Sequence, residues 1–155
     1  MRLTSPAFED GGWIPRENIV RGDDLSPELR LEGLDTKAVS IAITLDDVSH
    51  PLFPDYNHWC IWNIPACESI PAALPAGAHI QSPFAAQQGM AYGRHRYKGP
   101  KPPFDKCHTY VFTAYALDCM LELSSDGNRD ALLEAMEGHI LQQATLTCRN
   151  QRGKQ

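Results

Sequence analysis

The chain has no long apolar run, no excess of positive charge and no closely spaced pair of cysteines. No stretch approaches the roughly 20 apolar residues that a membrane-spanning helix needs, and the N-terminal residues lack the apolar segment of a secretory signal. The net charge of −5 argues against nucleic acid as the main partner, because nucleic-acid binders need basic surfaces. These absences predict a soluble, cytoplasmic protein without a transmembrane segment.

The cysteines argue against both a disulfide framework and a zinc site. Disulfide frameworks of short secreted chains usually have even counts, and zinc sites usually have close pairs, whereas this chain has five cysteines and no CxxC motif. We therefore expect reduced, mostly buried thiols that pack like small apolar side chains. The positions are Cys60, Cys67, Cys107, Cys119 and Cys148.

With 155 residues the chain is long enough for one domain with a substantial core, and we predict a single domain over residues 1–155. Residues 39–45 alternate between apolar and smaller or polar side chains, which predicts a strand with one buried face. Residues 59–64 are apolar on both faces, which predicts an interior strand. Residues 109–117 are rich in strand-forming side chains, and residues 144–148 predict a shorter, late strand.

The segment between the second and third of these strands, residues 65–104, is rich in proline, which prevents a continuous helix and disfavours central strands. Its aromatic residues and glycines predict an ordered loop with one or two short strands. One helix is predicted from about Asp130, with Asn128 as its N-cap and with a break or bend at Gly138. Its apolar stripe consists of Leu132, Leu133, Met136 and Ile140.

Ionisable side chains stand beside three predicted strand ends, where sites are often built on a rigid scaffold. Asp46 and Asp47 follow the first strand, His58 precedes the second and His108 precedes the third. Two histidines and a carboxylate fit an anion site, a metal site of the two-His, one-carboxylate type, or an Asp–His general base. The residues alone leave these alternatives open, together with a purely structural role for each histidine.

Residues 99–103 read Gly-Pro-Lys-Pro-Pro, so that only Gly99 and Lys101 have a backbone N–H. A stiff segment holds such donors in fixed directions, as an anion-binding concavity requires; the alternative is a rigid surface turn. The remaining histidines are predicted to be structural or exposed, with His139 on the helix. A locally basic group is predicted to be a solvated rim that raises the anion concentration near any pocket. Its members are Arg94, Arg96, Lys98, Lys101 and Lys106.

Two motifs in this order resemble the signatures of the phosphatidylethanolamine-binding protein family, in its bacterial branch. The first comprises Asp-Val-Ser-His-Pro at 47–51, His-Trp at 58–59 and Asn-Ile-Pro at 63–65. The second comprises residues 99–103, His-Thr-Tyr-Val-Phe at 108–112 and Tyr-Ala-Leu-Asp at 115–118. The resemblance covers nearly the whole chain. It implies a mainly β fold in which a large antiparallel sheet packs with a smaller sheet, with few helices, including one near the C-terminus.

The resemblance also implies a small pocket that binds phosphate or a phospholipid head group, and a role in modulating partners such as kinases or proteases. In that pocket one carboxylate and two histidines stand beside backbone donors, a wall and a phenol at the rim. Among the matching ligand-binding positions, Asp47 is the carboxylate, and His58 and His108 are the histidines. Gly99 and Lys101 supply the backbone donors, Pro102 forms the wall, and Tyr110 is the phenol. The resemblance further implies a cis peptide bond between His50 and Pro51.

Three features depart from the family's pattern. Val48 and Ser49 follow Asp47 where the family usually has Pro-Asp, so the pocket has one carboxylate fewer. Thr109 replaces the usual arginine and removes an ion pair, and residues 144–148 lack the usual glycines. These differences affect ligand choice and fine geometry rather than the fold.

The sequence thus predicts a small anion-binding protein without a cofactor or a stoichiometric metal, and it favours a binding protein over an enzyme. Its ligand would be phosphate, a phosphoethanolamine-like group or a carboxylate, and a protein partner and a homodimer are both left open. The alternative is a hydrolase or metal-dependent enzyme that uses Asp47, His58 and His108.

Overall fold

Two β-sheets form most of the regular structure, which a computed structural model describes for residues 1–154. A seven-stranded sheet has the order β2-β10-β9-β4-β5-β8-β7, and a three-stranded sheet has the order β1-β3-β6. All pairings are antiparallel except that of β2 with β10. The strands are β1 (Arg2–Thr4), β2 (Gly12–Trp13), β3 (Leu29–Glu32), β4 (Ser40–Asp47), β5 (Tyr56–Pro65), β6 (Ser69–Ile70), β7 (His79–Ile80), β8 (Ala86–Gln88), β9 (His108–Leu117) and β10 (Ile140–Asn150); the helix α1 spans Arg129–Met136.

The predicted mainly β fold, with two sheets and one helix near the C-terminus, is confirmed. The four predicted strands are all present and are longer than predicted. The segment 65–104 contains three short strands, β6, β7 and β8, rather than one or two. None of the helices formed by residues 1–154 has the length and apolar character to cross a membrane.

The large sheet is buried on both faces. On one face, Ile41, Ile43 and Leu45 of β4 join the main core together with apolar residues of the small sheet. On the other face, Ala42 packs in a second cluster that includes Leu132 of α1. The prediction that β4 is buried on only one face is therefore wrong: small side chains on its second face allow α1 to cover it.

The helix is shorter than its apolar stripe predicts. Asn128 is the N-cap, as predicted, and its side-chain oxygen accepts a hydrogen bond from the Ala131 amide at 3.1 Å. The helix ends at Met136, and Gly138 has a φ of 79°, a left-handed conformation that glycine adopts readily. Ile140 therefore begins β10, and His139 lies in the turn between helix and strand rather than on the helix.

The prediction of reduced thiols agrees with the structure, in which all five cysteines are free, but the prediction of mostly buried thiols is wrong. Cys60 and Cys148 are buried in the two core clusters. Cys67 and Cys119 are half-buried, and Cys107 is exposed. The thiols of Cys67, Cys107 and Cys119 are therefore at least partly accessible to solvent.

A register shift in the pairing of β4 with β5 positions one of the predicted site residues. Leu45 pairs with Trp59 and Asp46 pairs with Asn57, which leaves His58 as the extra residue of a β-bulge. A bulge re-aims the side chain of the unpaired residue. His58 consequently lies on the same face as Asp47 and beside Tyr110, the partner of Asp47 in β9.

Candidate functional site

Asp47 and His108 form a buried pair at one end of the large sheet. Asp47 ends β4 and His108 begins the antiparallel neighbour β9, so strand pairing brings the two side chains together. Nδ1 of His108 lies 2.7 Å from Oδ2 of Asp47, and the side chains are 9% and 5% exposed. The other carboxylate oxygen accepts a hydrogen bond from the Ser49 amide at 2.9 Å. Both oxygens of Asp47 therefore have fixed partners.

The pairing with Asp47 determines what the imidazole of His108 offers to a ligand. A carboxylate accepts hydrogen bonds, so Nδ1 of His108 carries a proton and donates it to Asp47. No group of residues 1–154 makes a hydrogen bond with the other ring nitrogen, Nε2. Nε2 therefore accepts a hydrogen bond when the ring is neutral and donates one when the ring is protonated.

His58 lies beside the Tyr110 ring, which is also close to His108. Its ring is edge-on to that of Tyr110 at 5.3 Å between centroids, and the Tyr110 and His108 rings are 6.3 Å apart. Nδ1 of His58 lies 3.1 Å and 3.2 Å from the carbonyl oxygens of Lys98 and Gly99, so this nitrogen is the donor. The predicted meeting of Asp47 with His108 is thus direct, and His58 joins them through Tyr110.

Burial lowers the pKa of His58, an effect that the Lys98 carbonyl and the negative charge of Asp47 partly offset. His58 is therefore neutral at neutral pH, with Nε2 as an acceptor. The Tyr92 hydroxyl lies 3.5 Å from this nitrogen, and the Tyr92 ring stands edge-on to that of His58. Tyr92, which the sequence analysis did not identify, is thus part of the site; no motif distinguishes it from the other aromatic residues of its loop.

Gly99, in the segment 99–103, does not have the anion-binding role that the sequence predicts. The Gly99 amide, predicted to donate to an anion, donates instead to Oδ1 of Asp24 at 2.7 Å. Its carbonyl accepts from His58, and a Cβ atom at this position would lie 2.1 Å from the Asn18 carbonyl oxygen. Glycine is required here because two backbone segments approach each other closely.

The other two predicted ligands of this segment, Lys101 and Pro102, have different contacts. Pro102 is buried, and its carbonyl oxygen accepts a hydrogen bond from the Arg21 guanidinium at 3.3 Å. Burial raises the pKa of the Tyr110 phenol well above its ordinary value, and the Lys101 backbone amide partly offsets this increase. Tyr110 is therefore a neutral hydroxyl that both donates and accepts hydrogen bonds.

Part of the predicted basic rim lines a cleft beside the site. The cleft has a volume of about 250 Å³ and is lined by Arg94, Arg96 and Lys98, with Asp24 and Tyr92. Arg96 forms an ion pair with Asp24 at 2.8 Å, and the Lys98 ammonium lies 3.5 Å from the centre of the Tyr92 ring. Desolvation and the neighbouring cations lower the pKa of Lys98.

Asp46 faces away from this site, although it is adjacent to Asp47 in sequence. Successive strand residues point to opposite faces, and Oδ1 of Asp46 lies 3.0 Å from Nε of Arg129 at the start of α1. The Asn57 amide also donates to Asp46, at 2.8 Å. Burial raises the pKa of Asp46, while Asn57 and Arg129 partly offset the increase. The pocket therefore contains the carboxylate of Asp47 without that of Asp46.

The prediction of a cis peptide bond at His50–Pro51 is wrong. Within residues 1–154 the cis bond lies at Ser82–Pro83. The turn after Asp47 is held by side-chain hydrogen bonds instead. Nδ1 of His50 accepts from the Leu52 and Phe53 amides, both at 3.2 Å. His50 also stacks on the ring of Tyr56, with centroids 4.6 Å apart.

The three predicted ligands Asp47, His58 and His108 do not present a ready metal site. The carboxylate of Asp47 is engaged by His108 and by the Ser49 amide, so it is not free to join the two imidazoles around an ion. Within residues 1–154 the three residues are not among the groups whose ligand atoms cluster closely enough to hold an ion. The absence of a metal from this pocket stays a prediction.

Comparisons with known proteins identify the family of this chain. The model of the phosphatidylethanolamine-binding protein family matches residues 4–151. A UPF0098 protein of Pyrococcus abyssi is 39% identical over 144 residues, which are 92% of this chain and 80% of that protein. A UPF0098 protein of Chlamydia pneumoniae is 38% identical over 150 residues, 94% of this chain and 95% of that protein.

Solved structures have the same fold. The crystal structure of a protein from Chlamydia trachomatis, described as a phosphatidylethanolamine-binding protein homologue, superposes with a TM-score of 0.84 at 29% identity over 97% of both chains. Escherichia coli YbcL, also described as a member of that family, has a TM-score of 0.84 at 23% identity, again over 97% of both chains. These matches confirm the resemblance of the two sequence motifs. The chain belongs to the phosphatidylethanolamine-binding protein family.

Proposed function

We propose that this protein binds a small ligand with a phosphate or carboxylate group in the pocket formed by Asp47, His58, His108 and Tyr110. The observation that carries the proposal is the buried Asp47–His108 pair, whose geometry reserves Nε2 of His108 for a ligand. When this ring is protonated, its outer N–H is a strong, charge-assisted donor to an anion.

The protonation state of His108 determines which anions bind. A fully deprotonated anion such as sulfate only accepts hydrogen bonds, so it requires the protonated ring, whose Nε2–H donates. A phosphate that retains a P–OH group can also donate to Nε2 of the neutral ring. His58 serves as a neutral wall of the pocket rather than as a second charge, because burial lowers its pKa and its Nδ1 proton is held by two carbonyl oxygens.

The surroundings favour an anionic ligand in two further ways. The cations of Arg94 and Lys98 in the adjacent cleft raise the local anion concentration. Tyr110 lies beside His108, and the Lys101 backbone amide contacts the Tyr110 hydroxyl. The five free cysteines fit a reducing compartment, so we place the protein in the cytoplasm.

The family resemblance implies modulation of a partner protein such as a kinase or protease, and we include this role in the proposal. Apolar side chains in the two loops that leave the pocket offer a contact surface for such a partner. Leu52 and Phe53 follow Asp47 and are 79% and 52% exposed, and Phe104, next to Pro103, is 79% exposed.

A hydrolase mechanism is less well supported. Ser49, the nearby hydroxyl identified in the sequence, has its Oγ 2.9 Å from the Thr109 amide, which donates to it. That hydrogen bond anchors the turn after Asp47 and is made to neither histidine. A carboxylate–histidine pair without an aligned nucleophile favours binding over turnover.

Calorimetric titration with sulfate and with inorganic phosphate at pH 5.5 and pH 8 tests the proposal. Sulfate stays doubly charged over this range, so any change in its affinity reports protonation of the protein. Because sulfate only accepts hydrogen bonds, it binds the protonated ring, so binding is coupled to the uptake of a proton and affinity falls as the pH rises. A lost charge-assisted hydrogen bond of about 1.5–3 kcal/mol predicts that sulfate binds roughly tenfold or more weakly at pH 8.

Matched variants locate the effect. His108→Gln should weaken sulfate binding at pH 5.5 by roughly tenfold or more and remove the pH dependence. His79→Gln, an exposed histidine on β7, should leave both unchanged. Phosphate should retain part of its affinity at pH 8, since its P–OH group can donate to Nε2. Equal sulfate affinities at both pH values, in the wild type and in His108→Gln alike, would show that the pocket is elsewhere.

A further inference from the structure

A second group of chemically active side chains lies at the other end of β9 from His108. Asp118 and Cys119 follow the last residue of β9, and His139 precedes the first residue of β10. Nδ1 of His139 lies 2.8 Å from Oδ1 of Asp118. A carboxylate oxygen, the Cys119 sulfur and a His139 ring nitrogen all lie within 4.8 Å of one another.

The backbone around these three residues is held by hydrogen bonds on several sides. The Asp118 amide donates to the His139 carbonyl at 3.0 Å, and the His139 amide donates to the Met136 carbonyl at 3.0 Å. The Ser40 hydroxyl donates to the Cys119 carbonyl at 2.5 Å. The ends of three strands and of α1 are thereby tied together. The backbone positions of the three residues are thereby fixed relative to one another.

We propose that Asp118, Cys119 and His139 form a binding site for a divalent ion of the zinc type, with water in the fourth position. In a tetrahedral zinc site with Zn–N and Zn–O distances near 2.1 Å and Zn–S near 2.3 Å, neighbouring ligand atoms are about 3.4–3.6 Å apart. The present separations, from 2.8 Å to at most 4.8 Å, bracket these values. Small side-chain rotations are sufficient to complete the site.

The accessibility of the residues is compatible with entry of an ion from solvent. The side chains of His139 and Asp118 are 46% and 45% exposed, whereas Cys119 is half-buried and packs against the core cluster beneath α1. The two exposed side chains can therefore adjust to an ion, while contacts with the core cluster hold Cys119 in place. Their exposure leaves room for the water ligand.

The donor set selects the ion. Thiolate and imidazole ligands suit zinc and similar transition metals, whereas magnesium and calcium prefer oxygen ligands only. A cysteine binds zinc as the thiolate. Binding then replaces the S–H bond by an S–Zn bond and releases one proton to solvent, and affinity increases with pH.

This inference departs from the expectation drawn from the sequence. An odd number of cysteines without a CxxC motif argues against zinc, and the apolar stripe of the helix placed His139 on its surface. The early end of α1 at Met136 moves His139 into the turn, where it meets residues that are twenty positions earlier in the chain. The site is independent of the proposed anion pocket.

Titration with zinc alone and with cobalt alone, using full-length protein with the exposed Cys107 replaced by serine, tests the inference. We expect one zinc ion per chain and, with cobalt, the absorption band of a thiolate-to-cobalt charge transfer. Asp118→Asn, Cys119→Ser and His139→Gln each remove one ligand. Each should weaken zinc binding by at least the roughly 10- to 100-fold that loss of a second-shell group costs, and Cys119→Ser should abolish the cobalt–thiolate band.

Matched controls alter the same residue types elsewhere. Cys67→Ser replaces another half-buried thiol, and His79→Gln replaces another exposed histidine; both should bind zinc like the parent. His108→Gln separates this site from the anion pocket and should also leave zinc binding unchanged. If Cys119→Ser does not fold, the exposed positions Asp118 and His139 still carry the test. Zinc binding that persists in Asp118→Asn and His139→Gln, or that is lost in His108→Gln, would overturn the inference.

Discussion

Arg129→Leu is expected to lower the free energy of unfolding by about 3–5 kcal/mol at neutral pH, the cost of removing one member of a buried ion pair. Asp46 is 5% exposed and lies 3.0 Å from the Arg129 guanidinium, which is itself 21% exposed. Loss of the arginine leaves the carboxylate charge in the protein interior with hydrogen bonds from Asn57 and Thr44 alone. Urea denaturation of both proteins measures the difference.

The size of this loss should depend on pH. Burial raises the pKa of Asp46 above its ordinary value, so the folded state binds more protons than the unfolded state between these two values. Stability therefore decreases as the pH rises through that window, and removal of Arg129 extends the window upwards. We expect the deficit of Arg129→Leu to be small near pH 4 and to reach its full size at neutral pH.

A double variant identifies the cause. Asp46→Asn together with Arg129→Leu removes both charges and should recover most of the stability lost in the single variant. Arg2→Leu is the matched surface control: its partner Glu32 lies 3.6 Å away and both side chains are exposed, so the cost should be below about 1 kcal/mol. A double variant that is no more stable than Arg129→Leu would mean that the arginine contributes by packing alone.

Gly99→Ala is the second change with a large expected effect. The added Cβ would lie 2.1 Å from the Asn18 carbonyl oxygen and 2.9 Å from Cα of Ile19, and both are backbone atoms that cannot rotate away. Overpacking of this kind costs about 1–3 kcal/mol and occasionally more. The displaced segment includes the carbonyl oxygens that hold His58, so we also expect the ring nitrogen resonances of His58 to shift.

Gly93→Ala is the control in the same loop. Gly93 has a φ of 68° with no atom within 4 Å of the added Cβ, so alanine meets conformational strain without a clash. The cost should be about 1–2 kcal/mol, the usual penalty of the left-handed conformation, with the His58 resonances unchanged. A Gly99→Ala protein with wild-type stability and an unshifted His58 would contradict the close approach of the two backbone segments.

Strand pattern and the two motifs were sufficient to predict the fold and the pairing of Asp47 with His108. Both residues are at strand ends, and antiparallel pairing of two strongly predicted strands brings those ends together. The separation of Asp46 from Asp47 was not predicted, because the sequence pattern places both after the first strand; it follows from the alternation of side chains once β4 extends to Asp47. What these predictions share is that they depend on regular backbone geometry.

The remaining features depend on contacts between distant segments that no local pattern encodes. The bulge that re-aims His58 results from the register of β4 against β5. The amide of Gly99 is taken by Asp24, a residue of the N-terminal loop, so a stiff proline-rich segment that predicts free donors does not provide one there. The apolar stripe of the helix continues to Ile140 and therefore predicts that His139 lies on the helix. In the structure the helix ends before Gly138, which adopts a left-handed conformation.

The central claim is that Nε2 of His108 contacts the bound anion. Crystals soaked in sulfate at pH 5.5 provide the most direct measurement, because the anion and the ring are seen together. We expect a sulfate oxygen about 2.7–2.9 Å from Nε2 of His108, the length of a charge-assisted hydrogen bond, and a lower sulfate occupancy there at pH 8. Sulfate ordered only in the cleft of Arg94, Arg96 and Lys98, with His108 lacking an anion at both pH values, would contradict it.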